Sequence, residues 1–518
     1  MMKYCYALIL VLLVFLPIAG AQISTISSDL IGHAGGVGGQ NVVRDSQGKL
    51  YALRIDGSPG GLSTLKIAES TNSGLSWTDV VTSGINGPTT GETNIPFVIA
   101  ASIAIDDRDV LHITWACNDY PNTFQPYYRS VDPQNSTMSA VLDIKASLGI
   151  APFVRTAACN VVVDINNRIW ITAPTSGSWK TQLLRSDAPY AAGNLFTSVG
   201  GIGTINASQI ARLAVDLAGR IHCTYYAASN TGDYRHHSYD DSNGTWSAVT
   251  DIGNLSPTND YTGGIACDYL GNTHIVSMRD TYGTGNPQTV YYRLDSQGNF
   301  FGPITIMSAT NSQFSGIGNF HTLDIACDEV SGDVFVLMRD FANGADLRVH
   351  YLPLGASAFS PYALIAPAST NTNEYHSPRI RGSLFPEFNN MNGRIDCTWR
   401  QNSQSPFDFN FTSIPDPNQP AYPGNGSDAA IRVSINGTTS SPSINIHNVG
   451  GGDFVILDFL SPGGTLTGQP LLCLGQILAS GVLPTPTTLL GDPLPSFYID
   501  LNQTHFTLVL EQARIGEV

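Results

Sequence analysis

Short runs of alternating apolar and polar residues fill most of the chain, and each run ends at glycine, asparagine or aspartate. A clear set of such runs covers Ile210 to Val215, Arg220 to Tyr226, Tyr234 to Tyr239 and Trp246 to Ile252. Alternation with a period of two, interrupted by turn residues, predicts β-strands joined by hairpins. Four strands in succession predict one small antiparallel sheet.

The turn after the first strand of each unit has a recurring form. An aliphatic or small residue precedes Asp, a glycine or polar residue follows, and an aromatic residue or His begins the next strand. The turn residues are Asp45, Asp106, Asp164, Asp216, Asp268, Asp328 and a degenerate Asn390. A period of roughly 50–60 residues built from short strands is typical of propeller blades. We expect an all-β protein with a seven-bladed β-propeller, and six blades if the last repeat is not a blade.

The seventh repeat lacks an outer strand. We expect residues Ile23 to Ile31, which precede the first repeat, to supply it and so close the ring.

The chain divides into four segments. Residues 1–21 resemble a secretory signal peptide, with an apolar run and the small residues Ala19-Gly20-Ala21 before the predicted cleavage point. We expect residues 22–415 to form the propeller, residues 416–424 a proline-rich linker, and residues 425–518 a small β-sandwich. No later stretch approaches the ~20 apolar residues of a membrane span. We expect a protein secreted to the periplasm or the cell exterior, with attachment to the cell surface left open.

Charge and cysteine content narrow the function classes. The formal net charge is −16, so a nucleic-acid partner is not expected. Seven cysteines follow the signal peptide, and those within strand-like runs are expected to be buried apolar residues without disulfides. No Cys-x-x-Cys or His-Glu-x-x-His motif occurs, and we expect neither a metal nor a cofactor.

The segment Ser70-Thr71-Asn72-Ser73-Gly74-Leu75-Ser76-Trp77 resembles the Asp-box, or BNR repeat, of sialidase-like propellers, with Asn72 in place of Asp. Residues Ser238 to Trp246 are similar, with one extra residue. The resemblance covers residues 30–415 and implies a secreted bacterial propeller with degenerate repeats. That family places an Arg-Ile-Pro motif before its first blade, and the stretch Gly39 to Asp45 lacks it. The resemblance therefore implies the fold rather than the sialidase reaction.

One face of a propeller usually carries the ligand, and it receives the loops before each first strand and after each second strand. Arginines recur there in a chain with little positive charge, and guanidinium groups bind carboxylates in a bidentate manner. The candidate ligand-binding residues are Arg54, Arg279, Arg339, Arg400, Arg212, Tyr261 and His321. The alternative is that these arginines form ion pairs within or between blades.

The tripeptide Glu374-Tyr375-His376 has the most varied chemistry on that face and supplies the candidate catalytic residues. Tyr375 and His376 are suited to acid–base chemistry in a polysaccharide lyase, and Tyr375 with Glu374 to a sialidase-like nucleophile. The alternative is an ordinary loop. His112, His222 and His274 occupy equivalent repeat positions, which favours a shared packing role.

Three functions remain open from the sequence, the last of which is an assembly or surface scaffold indicated by the C-terminal module alone. The first is a non-catalytic propeller that binds an acidic or neutral glycan or an extracellular protein. The second is an enzyme on acidic glycans, either a sialidase-like glycoside hydrolase or a polysaccharide lyase.

Overall fold

The structure is a computed structural model, and part of the chain is described in it. The described residues are 23–29, 39–45, 48–57, 63–80, 85, 97–119, 123–148, 159–174, 181–202, 208–216, 218–227, 233–254, 263–268, 271–279, 288–308, 323–328, 332–340, 346–367, 376–381, 394–401, 407–415, 430–435, 438–442, 455–461, 470–471, 485–489, 492–499, 513–514 and 516–517. The predicted signal peptide and linker lie outside these ranges.

Seven antiparallel sheets follow one another along the chain and form the blades. Strand β1 (Ser24–Asp29) comes first and belongs to the last blade. Blade 1 is β2 (Val42–Arg44), β3 (Leu50–Gly57), β4 (Ser63–Ser70) and β5 (Thr78–Asp79). Blade 2 is β6 (Phe97–Ile105), β7 (Leu111–Asp119), β8 (Thr123–Asp132), β9 (Thr137–Met138) and β10 (Leu142–Asp143), followed by helix α1 (Ile144–Leu148). Blade 3 is β11 (Val161–Val163), β12 (Ile169–Pro174), β13 (Thr181–Ser186) and β14 (Phe196–Gly201), with a 3-10 segment at Pro189–Asn194.

The remaining blades repeat this order. Blade 4 is β15 (Ser208–Val215), β16 (Ile221–Ala227), β17 (Asp233–Asp240), β18 (Thr245–Trp246) and β19 (Thr250–Asn254). Blade 5 is β20 (Gly263–Cys267), β21 (Thr273–Arg279), β22 (Gln288–Leu294) and β23 (Phe300–Ser308). Blade 6 is β24 (Leu323–Cys327), β25 (Val334–Asp340), β26 (Asp346–Leu352) and β27 (Ser360–Ala366). Blade 7 is β28 (His376–Arg381), β29 (Arg394–Gln401) and β30 (Phe407–Pro415).

The first strands of neighbouring blades contact one another all the way round, from β2 through β28 and back to β2. The seven-bladed prediction is confirmed, and the six-bladed alternative is wrong because blade 7 is a complete sheet. Apolar side chains fill the spaces between blades. Trp115, Trp170 and Trp399 are fully buried there, and the five cysteines with described side chains are buried and free, namely Cys159, Cys223, Cys267, Cys327 and Cys397.

Strand β1 closes the ring by pairing with β30, in the order β1-β30-β29-β28. This confirms the prediction that the N-terminal segment completes the last blade. A buried bidentate ion pair reinforces the joint on the β2 side, where Arg44 Nη2 lies 2.7 Å from Asp396 Oδ1 and Arg44 Nε lies 3.1 Å from Asp396 Oδ2. Blades 1 and 7 are thus held by backbone pairing and by charge.

The segment that resembles an Asp-box forms a turn packed on this joint. Asn72 Oδ1 accepts a hydrogen bond from the Ser76 amide at 3.0 Å, and the Gly74 amide donates to Ser70 Oγ at 2.8 Å. Trp77 packs edge-on against Phe411, with ring centroids 5.2 Å apart. These contacts give the segment a structural role.

The repeated Asp of the turns uses one carboxylate oxygen to hold the hairpin backbone and the other to hold a buried side chain. Its Oδ1 accepts backbone amides in the turn, as Asp216 does from Ala218 and Arg220 at 2.9 Å each. In blades 1 to 5 its Oδ2 accepts a hydrogen bond from an aromatic or imidazole side chain six residues later, whereas blade 6 has Val334 at that position. The donors are Tyr51, His112, Trp170, His222 and His274, at 2.8–3.2 Å from Asp45, Asp106, Asp164, Asp216 and Asp268 respectively. The three histidines therefore have the packing role expected from their repeat positions.

The second ring nitrogen of these histidines has a partner on the third strand. In blades 2 and 5 the partner is a tyrosine hydroxyl, Tyr128 at 2.7 Å and Tyr291 at 2.6 Å. In blade 4 it is a second imidazole, since His236 Nε2 lies 3.0 Å from His222 Nδ1. Blade 4 thus has a buried histidine pair where blades 2 and 5 have a histidine and a tyrosine.

The C-terminal part of the chain also consists of strands. They are β31 (Ala430–Ile435), β32 (Thr438–Pro442), β33 (Val455–Ser461), β34 (Pro470–Leu471), β35 (Thr485–Leu489), β36 (Asp492–Ile499), β37 (Ala513–Arg514) and β38 (Gly516–Glu517). They form one sheet, β32-β31-β33-β38, and the pairs β34-β37 and β35-β36. That these strands form a sandwich stays a prediction. No helix of the described residues is long and apolar enough to cross a membrane.

Candidate functional site

One level of the central channel carries a ring of polar residues and glycine. In blades 1 to 6 the ring residue stands four positions before the turn Asp. In blade 4 this residue is Arg212, which pairs with Thr224 on the second strand. The equivalent residue of blade 7 is the one that pairs with Thr398. The ring residues are Asn41, Ser102, Asn160, Arg212, Gly264, Asp324 and Arg379. Each is followed along the chain by an aliphatic residue, as expected where a strand leaves the polar channel and enters the packing between blades.

Arg212 and Asp324 bring opposite charges together inside this ring. They belong to blades 4 and 6, and both are buried, with 5% and 4% of their surface exposed. The blade between them contributes Gly264, where a Cβ atom would lie 2.8 Å from Asp324 Oδ1. The carboxylate therefore occupies space that a side chain at this position of blade 5 would fill, and its charge acts on the guanidinium of Arg212.

Burial lowers the pKa of Arg212, and the charge of Asp324 opposes that shift. Arginine in proteins stays protonated at neutral pH. A buried guanidinium presents several N–H donors in a planar fork, so it can share its donors between a protein carboxylate and a carboxylate of a ligand. The ring therefore contains a buried guanidinium rather than a surface charge.

Tyr234 completes the neighbourhood of Arg212. Its hydroxyl donates to Thr224 Oγ1 at 2.9 Å, and a Cβ on Gly263 would overlap that hydroxyl. Burial raises the pKa of Tyr234 to about 12, although the charge of Arg212 opposes the rise. At neutral pH this hydroxyl is protonated and acts as a hydrogen-bond donor, not as a base or nucleophile.

The two arginines of the ring follow irregularities in their strands. The register of β15 with β16 shifts between Gln209 and Arg212, and that of β28 with β29 shifts between His376 and Arg379. A β-bulge redirects the side chains that follow it and is common beside binding sites. Blades 4 and 7 therefore share a register shift just before the arginine of the ring.

A short segment ahead of blade 1 crosses the channel. The Gly39 amide donates to the Cys159 carbonyl of blade 3 at 3.2 Å, and a Cβ on Gly39 would lie 2.7 Å from Asn160. The next residue, Gln40, donates from Nε2 to Asp324 Oδ2 of blade 6 at 3.4 Å. Asn41 Oδ1 accepts from Thr398 of blade 7 at 2.6 Å. Because three consecutive residues contact opposite sides of the ring, they form a floor across the channel.

Two predicted ligand-binding arginines besides Arg212 have described side chains. Arg54 forms ion pairs with Asp56 at 3.0 Å and Asp79 at 2.6 Å, and Lys66 shares both carboxylates. These partners all belong to blade 1, so Arg54 has the intrablade role weighed as the alternative. Arg339 is buried at the end of β25.

The other predicted site residues are described by backbone only or lie outside the described residues. The register pairs His376 with Arg400 across β28 and β29, and Arg279 with Gln288 across β21 and β22. The strand pairing thus places two predicted site residues directly opposite each other. Outside the described residues lie Tyr261, His321, Glu374 and Tyr375.

Sequence reasoning missed Asp324, Tyr234 and Gln40 as site residues. Asp324 had a usable signal, since counting four residues back from each turn Asp collects the whole ring in blades 1 to 6. Gln40 had none, because its contact with Asp324 joins blades 1 and 6, which the sequence does not show to be opposed. Tyr234 had none either, because its hydroxyl meets Thr224 of the neighbouring strand through side-chain reach, without a local sequence pattern.

Within the described ranges, no group of three or more His, Cys, Asp or Glu side chains is arranged to hold a metal ion.

Comparisons with protein-family models and with curated proteins find no match. Solved structures are similar at low identity. An ulvan lyase, a polysaccharide lyase, is 12% identical with a TM-score of 0.47, over 75% of this chain and 96% of that one. An α-L-arabinanase from Penicillium chrysogenum is 10% identical with a TM-score of 0.41, over 76% and 99%. A protein of unknown function from Dyadobacter fermentans is 10% identical with a TM-score of 0.41, over 76% and 98%. Function therefore has to be deduced from this chain's own residues.

Proposed function

We propose that this protein is an exported propeller that binds an acidic glycan in its central channel, with Arg212 receiving a carboxylate of the sugar. The observation that carries the proposal is the buried pair Arg212 and Asp324 at the level of the polar ring, above a floor formed by residues 39–41. A guanidinium held in a site of low dielectric contributes more to binding an anion than one on the surface.

The distribution of charge supports an anionic ligand. The chain as a whole has a net charge of −16, yet its channel ring contains two arginines and one aspartate. A buried arginine in the channel of an acidic protein attracts anions to that place, while the acidic surface repels them elsewhere. A polymer with carboxylates on its sugar rings fits a channel better than a nucleic acid, for which the chain lacks a basic surface.

Cleavage of the bound glycan is the second candidate. It is favoured by the register that pairs His376 with Arg400 at the start of β28, because β28 contacts β24, the strand of Asp324. Glu374 and Tyr375 directly precede β28 in the chain. An acid–base residue next to carboxylate-binding arginines is the arrangement that elimination at a uronic acid or hydrolysis at a sialic acid requires.

The first experiment measures binding of oligogalacturonate, oligoalginate and sialyllactose to the mature protein by titration calorimetry. The test variant is Arg212→Lys, which keeps the charge beside Asp324 but loses the planar fork. We expect its affinity for the bound acid to fall about 10-fold or more, as loss of a charge-assisted bidentate contact implies. The control, Arg235→Met, removes an arginine of the same blade that pairs with Asp251 instead. Wild-type affinity in Arg212→Lys, or no binding to the wild type, would refute the proposal.

Mass spectrometry of the same mixtures separates binding from catalysis. Products heavier than the parent fragments by one water indicate a hydrolase, and unsaturated products without that water indicate a lyase. Intact glycan after prolonged incubation would leave a binding propeller and exclude cleavage of these polymers.

A further inference from the structure

An arginine and a phenylalanine lie together on the outer edge of blade 5, away from the channel. Arg293 belongs to β22 and Phe301 to the edge strand β23, and the register pairs the two residues directly. Their side chains therefore stand on the same face of the sheet. The guanidinium carbon of Arg293 lies 4.7 Å from the centre of the Phe301 ring, and 46% of Phe301 is exposed. We refer to these two residues as the edge site.

Arg293 is half-buried and makes no hydrogen bond or ion pair with any residue that the structure describes. Its Nε is buried without an acceptor. Other arginines with described side chains donate to carboxylates or carbonyls, and they are Arg44, Arg54, Arg108, Arg129, Arg168, Arg185, Arg220, Arg235 and Arg348. A guanidinium taken partly out of water without an acceptor is unfavourable. An anion that pairs with Arg293 would remove this cost.

The nearest acid along the chain, Asp295, is committed to its own turn. Its Oδ1 accepts the amides of Gln297 at 3.0 Å and Asn299 at 2.8 Å, and its Oδ2 accepts Asn299 Nδ2 at 2.8 Å. The hydrogen bond from Asn299 and, less strongly, the charge of Arg293 hold the pKa of Asp295 below its usual value. Asp295 thus attracts Arg293 from a distance without forming an ion pair with it, and an external anion can take that place.

The edge strand beside this site is unsuited to pairing with another strand. Gly302 and Pro303 both lie opposite Tyr292, which makes a β-bulge directly after Phe301. Gly302 has a φ of 118°, and a Cβ there would lie 2.8 Å from the Tyr291 carbonyl oxygen. Proline has no N–H to donate, and a bulge interrupts the ladder. A peptide that adds as a strand is therefore disfavoured here, and a ligand that contacts side chains is favoured.

We infer that the edge site is a second glycan-binding site, where a uronate unit pairs its carboxylate with Arg293 and packs a face of its ring on Phe301. A guanidinium binds a carboxylate through two parallel N–H donors, and an aromatic ring offers an apolar surface to the C–H groups of a sugar. One sugar unit that carries both groups matches an arginine and a phenylalanine placed side by side. The inference extends the proposed function to a second place on the protein and uses none of the channel residues.

The test is titration calorimetry of the full protein with oligogalacturonate, in the wild type and in Arg212→Lys. In both backgrounds Arg293→Gln should lower the affinity of the edge site about 5-fold or more, as expected when a charge-assisted contact is lost. Methyl-esterified oligogalacturonate keeps the sugar rings and lacks the charge, so Arg293→Gln should leave its affinity unchanged. Arg235→Gln is the matched control and should bind as its parent does, because Arg235 also lies on a third strand but pairs with Asp251.

A second pair of variants tests the aromatic ring. Phe301→Ala should weaken oligogalacturonate binding about 3-fold or more, because the sugar loses its apolar contact. Its control is Phe300→Ala, which should bind as wild type. Phe300 is also exposed, but it lies on the opposite face of β23 and stacks on Tyr292, with ring centroids 5.1 Å apart. Added salt should weaken binding less in Arg293→Gln than in its parent, which a purely structural role of Arg293 would not produce.

The outcomes separate the edge site from the channel site. Loss of affinity in Arg293→Gln and Phe301→Ala, with the two control variants unaffected, would support the edge site. If both edge variants bind as wild type while Arg212→Lys is weakened, the edge site is refuted and the channel site stands; the opposite result leaves the edge site and refutes the channel site. If a glutamate-rich peptide binds through Arg293 and oligogalacturonate does not, the edge site is refuted as a glycan site. If the folded wild type binds no acidic oligosaccharide, both proposals fall.

Discussion

Replacing His236 by glutamine is expected to remove an acid-induced loss of stability that arises in blade 4. His236 is buried, and its imidazole lies against that of His222, which in turn contacts Asp216. Burial first, and then the charges of His222, His237 and Arg220, hold the pKa of His236 well below its usual value. Blades 2 and 5 avoid this cost because Tyr128 and Tyr291 take the corresponding place and do not titrate near neutrality.

The size of the effect follows from proton linkage. The folded state keeps His236 neutral, whereas the unfolded chain takes up a proton below a pH of about 6.5, so stability is lost as the pH falls. From pH 6.5 to pH 5 the loss is about 2 kcal/mol, at about 1.4 kcal/mol for each pH unit. For a propeller of roughly 390 residues this corresponds to about 2–3 °C in Tm.

The assay is thermal unfolding followed by tryptophan fluorescence at pH 7 and pH 5, at one scan rate. His236→Gln keeps a nitrogen donor for His222 and cannot be protonated, so its Tm should fall by about 2 °C less than that of the wild type between the two pH values. His237→Gln is the comparison variant: burial also lowers the pKa of His237, but its hydrogen bond to the Ser247 carbonyl opposes that shift, so its effect on the fall in Tm should have the same sign and be smaller than that of His236→Gln. Equal falls in the wild type and in His236→Gln would refute the reasoning.

Two further predictions concern the joint between blades 1 and 7. Gly74→Ala should cost clearly more stability than Gly298→Ala: both glycines have positive φ angles, of 86° and 84°, but only at Gly74 would the new methyl overlap the Phe411 ring. We expect about 1 kcal/mol for Gly298→Ala and a further 1–3 kcal/mol for Gly74→Ala, and similar losses in urea denaturation would contradict this. Arg44→Met should cost about 3–5 kcal/mol by leaving the Asp396 carboxylate buried and unpaired, and adding Asp396→Leu should recover most of it; a double variant no more stable than Arg44→Met would contradict this reasoning.

The strands and the ring closure were within reach of sequence reasoning because the signals are local. The run predicted at Ile210 to Val215 became β15 at Ser208–Val215, and its turn at Asp216 has the expected hydrogen bonds. The closing strand was deduced by counting strands. The seventh repeat has three strands where the others have four, and one strand near the N-terminus belongs to no repeat, so the two should pair. The structure shows that pairing with β1 at Ser24–Asp29.

The site was harder to predict because its contacts depend on which strands and blades lie next to each other in the folded protein. Arg54 was grouped with the ligand face by its position at a strand end, but Asp79 lies within reach and pairs with it. Asp324 meets Gln40 across 284 residues of sequence. Neither contact can be recognised from neighbouring residues in the sequence. Both depend on how far a side chain reaches in the folded protein, and the position of Asp324 also depends on the space left at Gly264, which has no side chain.

The closing pair β1 and β30 has a consequence for the order of assembly. Thr25 and Asn410 share a hydrogen bond across 385 residues, so β1 can find its partner only after almost every blade has been synthesised. Once β30 has been made, and until β1 pairs with it, β30 presents an open edge that can pair with any extended chain. Contacts so distant in sequence form late, and the last blade is therefore the part of this propeller most exposed to mispairing between copies during biogenesis.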